Sequence, residues 1–178
     1  MVRIITMAAI ILINFALQST FWPQFSIMGV MPDTALVLIV SYAILRGDIE
    51  GALFGFFTGL VHDMLAAMFI GVFALLGFLT GYVCGKPFRD FFKDNYFMPF
   101  FVVVAVSLVH QFGFYVMAIM LTGQLDFSHY VRSIMLPTTV YTATVAIPIY
   151  AVMHFINTRI TRHEANFKSL FGGGADDE

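Results

Sequence analysis

The stretch 51–85, GALFGFFTGLVHDMLAAMFIGVFALLGFLTGYVCG, decides the fold, because Asp63 is its only formally charged residue. As a single helix, these residues would extend for about 52 Å, which is too long for one crossing of a hydrocarbon core of about 30 Å. Two antiparallel helices with a tight turn near Ala66 fit the bilayer instead. The stretch therefore predicts a membrane-embedded helical hairpin, with spans at 50–65 and 69–85.

The rest of the chain has the same apolar character. Hydrophobic residues make up 60% of the 178 residues and charged residues only 11%, whereas a soluble domain carries about a quarter charged residues. Further apolar runs predict spans at 4–21, 32–46, 98–121 and 133–156. No small-x-small cleavage site follows the first run, which favours a retained span over a signal peptide. We therefore predict one all-α membrane domain of six transmembrane helices over 1–160, followed by a cytoplasmic tail at 161–178 that is disordered at its end.

Lysine and arginine residues indicate the orientation of the chain. With both termini in the cytoplasm, eight of the nine basic residues face the cytoplasm, and only Arg132 lies outside. The eight are Arg3, Arg46, Lys86, Arg89, Lys93, Arg159, Arg162 and Lys168. This alternation supports six spans in the cytoplasmic (inner) membrane, because one missed or extra span would scramble it. The formal net charge of −2 gives no indication of a nucleic-acid partner.

Two stripes of glycines with a spacing of four follow the two helices of the predicted hairpin. They are Gly51, Gly55 and Gly59 on the third span and Gly77, Gly81 and Gly85 on the fourth. Small residues at this spacing allow helix backbones to approach closely in lipid. We interpret the stripes as surfaces that pack against each other inside the hairpin. Docking of a partner helix on one stripe is the alternative.

Polar side chains in the outer half of the predicted bundle are candidates for function. At 100° per residue, His62 and Asp63 lie on or beside the glycine stripe, away from lipid. An ionisable residue in that position is a functional candidate by default. Together with residues at similar depth, they form a predicted outer polar layer of His62, Asp63, His110, Gln111, Thr138 and Thr142. Three interpretations stay open, namely a pocket open to the outside, hydrogen bonds between helices, and, for His62 and Asp63, a helix end in water.

The sequence contains no pattern typical of a catalytic, cofactor or metal site. A nucleophile elbow, a P-loop and a dinucleotide-binding glycine fingerprint are all missing from it. The single cysteine, Cys84, has no partner at zinc-site spacing, and we interpret it as a small core residue. We therefore predict a protein that is not an enzyme and needs neither a cofactor nor a metal.

The stretch from Pro32 to Gly85 resembles the MreD family, the rod-shape-determining membrane proteins of bacteria. The resemblance rests on two short motifs on the second span, followed by the glycines and the aspartate of the hairpin. The residues that carry it are Pro32, Asp33, Arg46, Gly47, Gly51, Gly55, Gly59, Asp63, Gly71, Gly81 and Gly85.

This resemblance implies a scaffold of the cell-wall elongation machinery, which maintains rod shape and helps to organise peptidoglycan synthesis. The expected direct partner is MreC, a bitopic protein with a periplasmic coiled coil. MreB, RodA and a penicillin-binding transpeptidase are expected in the same complex, with membrane lipid around the helices.

The resemblance also implies a fold similar to the substrate-binding (S) subunits of energy-coupling-factor transporters. A small-molecule-binding membrane subunit of a vitamin-type transporter is therefore the alternative function. The first span, IITMAAIILINFALQSTF, lacks the repeated small residues with which such subunits dock on their energising partner. This difference favours the scaffold.

Overall fold

The computed structural model describes residues 2–26, 30–66, 71–91, 98–122 and 126–171, which form six helices. They are α1 (Val2–Thr20), α2 (Thr34–Arg46), α3 (Asp48–Ala66), α4 (Val72–Phe91), α5 (Met98–Thr122) and α6. Helix α6 is continuous over 127–171 and consists of Phe127–Tyr130, a π-helical turn at Val131–Met135, and Leu136–Phe171. These parts of the chain contain no β-strand, so the prediction of an all-α fold with six helices is confirmed.

One helix among the described residues is both long and apolar enough to cross a bilayer, over Phe127–Arg159. Shorter apolar helices are Ile5–Thr20, Thr34–Arg46, Val72–Gly85 and Phe100–Val116. The other helices still expose large apolar side chains, such as Ile13 on α1, Phe57 on α3, Leu79 on α4 and Val109 on α5. Extended apolar surface of this kind suits lipid rather than water. The bounds of the spans and the orientation stay predictions.

Helix α2 is the shortest of the six and lies at the centre of the molecule. Every residue from Thr34 to Ile44 is buried, and α2 contacts all five other helices. Its 13 residues extend for about 20 Å, which is roughly 10 Å less than the thickness of a hydrocarbon core. The short central helix therefore leaves a space beyond its N-terminus, between the longer helices that surround it.

The start of α2 differs from the predicted start at Pro32. Asp33 is the N-cap, since its Oδ1 accepts a hydrogen bond of 2.9 Å from the amide of Leu36. Aspartate is among the preferred N-cap residues, and this preference moves the start of the helix to Thr34. At the other end, Gly47 has a φ of 105° and ends α2, directly before α3 begins.

Helices α3 and α4 pack backbone to backbone along the two glycine stripes. A Cβ atom added to Gly55 would collide with the backbone of Gly77, and one added to Gly77 would collide with that of Gly55. Gly51 and Gly81 meet in the same reciprocal way, with 2.9 Å between a Cβ on Gly51 and the carbonyl oxygen of Gly81. The stripes therefore face each other, and backbone atoms cannot move aside as the end of a side chain can.

The two ends of the hairpin are equally close. Gly59 lies against the backbone of Phe73, and Gly85 lies against the backbone of Asp48. Gly71 is different, because its surroundings are open and its φ is +99°. The positive φ of the turn before α4, and not close packing, therefore favours glycine at this position. Most of the predicted turn at 66–68 lies outside the described residues.

Helix α6 is longer than the predicted sixth span. It begins at Phe127 rather than at Ser133 and passes through Pro148 without a break. It then continues to Phe171, so residues 161–171 of the predicted tail are helical. Residues 172–178, for which we predicted disorder, lie outside the described residues.

Candidate functional site

A cavity of about 550 Å³ occupies the space beyond the N-terminus of α2, and we call it the outer cavity. All six helices contribute to its wall, together with the segment 30–33 that leads into α2. Its polar side chains are Asn14, Gln18, Ser19, Asp33, Thr58, His62, His110, Gln111, Tyr130 and Thr138. Three aromatic rings, Phe15, Phe73 and Phe114, form part of its apolar surface. The size and the mixed lining are typical of a binding site.

The structure divides the predicted outer polar layer into two groups. His62, His110, Gln111 and Thr138 line the outer cavity. Asp63 and Thr142 are fully buried beside it and form hydrogen bonds that hold its walls. The layer thus contains both cavity-facing groups and groups that link helices.

Asp63 caps the N-terminus of the neighbouring helix α4. Its side chain is 1% exposed, and its two carboxylate oxygens accept hydrogen bonds from the amides of Phe73, at 3.1 Å, and Ala74, at 2.9 Å. The first amides of a helix have no acceptor within the helix, and the partial positive charge of this end stabilises a carboxylate. Asp63 therefore links the end of α3 to the start of α4 without needing a cation.

The same cap fixes an aromatic part of the cavity wall. The ring of Phe73, whose amide bonds to Asp63, lies 4.6 Å from the ring of His62 and 5.1 Å from the ring of Phe114, measured between centroids. The ring of His110 follows at 6.2 Å. Asp63 thus positions a group that faces the outer cavity, although its own side chain does not line it.

Asp33 lies at the floor of the outer cavity. Its amide donates a hydrogen bond of 2.9 Å to Oγ1 of Thr142, and its Oδ1 accepts the capping bond from Leu36. Its second oxygen, Oδ2, lies 4.0 Å from Nδ1 of His110, which is too far for a hydrogen bond. Among the described residues that line the cavity, Asp33 is the only one of the Asp, Glu, Lys and Arg types.

Two successive residues of α6, Tyr141 and Thr142, form hydrogen bonds to the described part of the connection between α1 and α2. The hydroxyl of Tyr141 donates to the carbonyl oxygen of Phe25 at 3.0 Å, and its ring packs edge to face against Trp22. The next residue, Thr142, holds the amide of Asp33. One wall of the outer cavity is therefore attached directly to α6.

The amide side chains in the outer cavity are held by few hydrogen bonds. Oε1 of Gln18 lies 3.4 Å from both Nδ2 of Asn14 and Oγ1 of Thr34, and Oε1 of Gln111 accepts from the hydroxyl of Tyr130 at 3.1 Å. An amide side chain has two donor hydrogens and an acceptor oxygen with two lone pairs. These groups therefore retain capacity for a further partner.

Sequence reasoning missed Gln18, Thr58 and Tyr130 as members of the site. Asn14 and Gln18 are four residues apart and share one face of α1, which was a usable signal. Tyr130 fell before the predicted start of the sixth span, so its place in the wall was hidden. Arg46 and Gly47 lie at the opposite end of α2 and take no part in the cavity.

In the part of the chain that the structure describes, no three His, Cys, Asp or Glu side chains are grouped so as to hold a metal ion. Cys84 is buried in the apolar core with Val40 of α2 and Val103 of α5. The residues of the outer cavity therefore offer hydrogen bonds, one carboxylate and apolar contacts.

The sequence model of the family described as MreD, rod shape-determining protein MreD, matches residues 1–158. This match confirms the resemblance and extends it well beyond the stretch 32–85 on which we based it. No curated protein and no solved structure matches the chain. The likeness to substrate-binding subunits of transporters therefore stays a prediction.

Proposed function

This chain belongs to the MreD family of rod shape-determining membrane proteins, and we propose from this premise that it is a multi-pass scaffold of the cell-wall elongation complex. In this proposal, all six helices cross the cytoplasmic membrane with both termini in the cytoplasm, as the distribution of the nine basic residues favours. MreC is the direct partner, and MreB, RodA and a penicillin-binding transpeptidase belong to the same complex.

The outer cavity is the observation that supports binding of MreC most strongly. With the proposed orientation, the cavity lies on the periplasmic side, where a bitopic partner continues beyond its own span. Aromatic surface around a few polar groups suits a short peptide segment, because apolar anchors in a pocket provide most of the binding energy of an interface. We therefore place the contact with MreC in the outer cavity.

The packing of the other helices also suits a scaffold. The α3–α4 hairpin is fixed by backbone contacts between Gly55 and Gly77, and the Asp63 cap fixes Phe73 in the cavity wall. A site whose wall is already ordered loses less conformational entropy when it binds a partner. The outer cavity is in this respect a preformed docking site.

Filling the cavity tests this proposal. Thr138 is 5% exposed and lines the cavity, whereas Val140 on the same helix is 67% exposed on the outer surface. We expect Thr138→Phe to reduce co-purification with MreC in mild detergent by about tenfold or more, since the ring occupies the space of the partner. Val140→Phe is the matched control and is expected to leave co-purification unchanged.

Two results would contradict parts of this proposal. The scaffold is wrong if the unaltered chain does not co-purify with MreC and cells lacking it keep their rod shape. The placement of the contact in the outer cavity is wrong if Thr138→Phe binds MreC as well as the unaltered chain does. Thermal unfolding of both variants in detergent serves as the control for folding.

The volume of the outer cavity also favours a second candidate function, a small-molecule-binding subunit of a vitamin-type transporter. Its 550 Å³ falls within the range of roughly 300–1,000 Å³ that ligand sites occupy. Native mass spectrometry of the purified chain separates the two functions. A stoichiometric ligand of low molecular mass would favour transport, and its absence together with binding of MreC would favour the scaffold.

A further inference from the structure

Among the described residues, no lysine or arginine lies beside the carboxylate of Asp33. Its side chain is 16% exposed, and its Oδ2 accepts no hydrogen bond from the described residues. The nearest group of opposite sign is the imidazole of His110, at 4.0 Å, which carries a charge only when it is protonated. An ionisable group in a membrane protein that faces a cavity without a partner is costly to retain. The N-terminus of α2 satisfies Oδ1, as that of α4 satisfies Asp63, but Oδ2 retains acceptor capacity in a residue that lines the outer cavity, and a positively charged ligand can use it.

The sequence places no lysine or arginine other than Arg132 in the predicted outer connections that adjoin the cavity. The sequence segments 27–29, 67–70 and 123–125, which fall in or directly beside the predicted outer connections between spans, contain no lysine or arginine. Arg132 is the only basic residue outside the predicted cytoplasmic regions, and it is exposed on α6 rather than in the lining. A lysine or arginine that pairs with Asp33 therefore has to come from another molecule.

The surroundings of Asp33 suit the side chain of a lysine or an arginine. Their long apolar stems pack on apolar surface while the charged end reaches a polar group, and arginine also stacks on aromatic rings. The cavity offers both kinds of surface, with Phe15 and Phe73 in its wall and the carboxylate at its floor. A charge-assisted hydrogen bond to a carboxylate is among the strongest that a protein forms.

We propose that the partner inserts one lysine or arginine side chain into the outer cavity and that this side chain pairs with Asp33. This inference rests on the proposed function, since it describes the chemistry of the MreC segment that docks there. The lining also has apolar members such as Met31 and Ile134, so the basic residue is flanked by apolar residues. A peptide segment supplies this combination, whereas a small free cation does not.

Removal of the charge with retention of the cap provides the test. Asn is as good an N-cap as Asp, so Asp33→Asn keeps the start of α2 and removes only the negative charge. Asp48→Asn is the matched control, because Asp48 is also a carboxylate at the start of a helix but lies at the opposite end of the molecule. We expect Asp33→Asn to weaken binding of full-length MreC by about tenfold and Asp48→Asn to leave it unchanged.

A scan of the partner completes the test. Each lysine and arginine in the roughly 20 residues that follow the span of MreC is changed to glutamine, and binding to the unaltered chain is measured. One of these changes should weaken binding about as much as Asp33→Asn does, and combining it with Asp33→Asn should add no further loss.

The outcomes separate this inference from the proposed function. If the unaltered pair does not bind, the proposed function fails. If the pair binds, three results would make the inference wrong while the scaffold stands. They are that Asp33→Asn binds MreC equally well, that none of the changes in the partner segment weakens binding, or that the losses from the two changes add as independent terms. If Asp33→Asn weakens binding but no lysine or arginine substitution in MreC does, a free cation is indicated and the inference is overturned.

Discussion

The α3–α4 hairpin and the outer cavity share a wall, and they differ in how closely their helices approach. In the hairpin, backbone meets backbone, and no side chain fits between Gly55 and Gly77. At the outer cavity, the surrounding helices remain separated by about 550 Å³ of space that polar side chains border. Phe73 belongs to both regions, because its backbone lies against Gly59 and its ring faces the cavity.

The contrast between the two regions shows what sets the distance between helices in lipid. Lipid is as apolar as leucine, so apolar character alone does not bring helices together. The hairpin closes because glycines remove the side chains from one stripe on each helix. The cavity lies beyond the N-terminus of α2, whose 13 residues make it the shortest of the six described helices. Side-chain size and helix length therefore decide which region is packed and which can bind.

The largest effect is expected at Asp63, where the two regions meet. Asp63→Leu removes the acceptor of two amides at the start of α4, one buried, that of Ala74, and one partly buried, that of Phe73. We expect a loss of about 2–5 kcal/mol in the free energy of unfolding, because an unsatisfied buried donor costs about 1–3 kcal/mol and a partly buried one costs less. Unfolding in a mixed detergent with increasing sodium dodecyl sulfate measures this loss.

Asp63→Asn sharpens the result. An asparagine has one acceptor oxygen, so it can serve one of the two amides, and we expect an intermediate loss. His62→Leu, at the neighbouring position, changes no capping bond and is expected to unfold nearly as the unaltered chain does. Equal stability of Asp63→Leu and the unaltered chain would show that the cap does not hold the hairpin.

A smaller effect is expected from a methyl group in the hairpin. In Gly55→Ala, the new Cβ would meet the backbone of Gly77, so the helices have to separate. Overpacking of this kind costs about 1–3 kcal/mol, from which the better helix propensity of alanine, about 1 kcal/mol, is subtracted. The same titration with sodium dodecyl sulfate measures the change.

Gly113→Ala on α5 is the matched control for this methyl group. There, the new Cβ would lie 3.0 Å from Cδ2 of Leu76, the end of a flexible side chain that can move. We expect no loss of stability, or a gain from helix propensity. If Gly55→Ala lowers the free energy of unfolding no more than Gly113→Ala does, the hairpin is not packed more tightly than the rest of the bundle.

The smallest effect is expected at the cavity, where α6 holds the segment before α2. Thr142→Val has the same shape but cannot accept the hydrogen bond from the amide of Asp33, and we expect a loss of about 1 kcal/mol. Tyr141→Phe removes a hydrogen bond that is exposed, and its loss should be smaller. A loss for Tyr141→Phe that exceeds the loss for Thr142→Val would reverse the assigned order of the two attachments.

The sequence predicted the hairpin better than the cavity, for physical reasons. The spacing of Gly51, Gly55 and Gly59 is local, and its meaning in lipid follows from the size of the side chains. The same reasoning placed Asp63 away from lipid, but it could not identify the partners of Asp63. Those partners are backbone amides of α4, and every sequence has such amides.

The outer cavity depends on distances between helices that are far apart in the chain. Thr142 and Asp33 are separated by 109 positions, and no local pattern joins them. The predicted span 32–46 already made α2 short, and the N-cap at Asp33 moves its start by only two residues, to Thr34. A prediction of individual spans therefore found polar residues at similar depth without finding the space between them.

The most direct test of the account is chemical labelling of the cavity from the periplasm. Gln18 lines the cavity and Cys84 is buried, so Gln18→Cys in a Cys84→Ala background gives one reactive thiol inside the cavity. In intact cells whose outer membrane is permeabilised, a membrane-impermeant maleimide should label this thiol when MreC is absent, and co-produced MreC should block the labelling. A thiol that reacts only from the cytoplasmic side, or equally well with and without MreC, would contradict the outward-facing docking site.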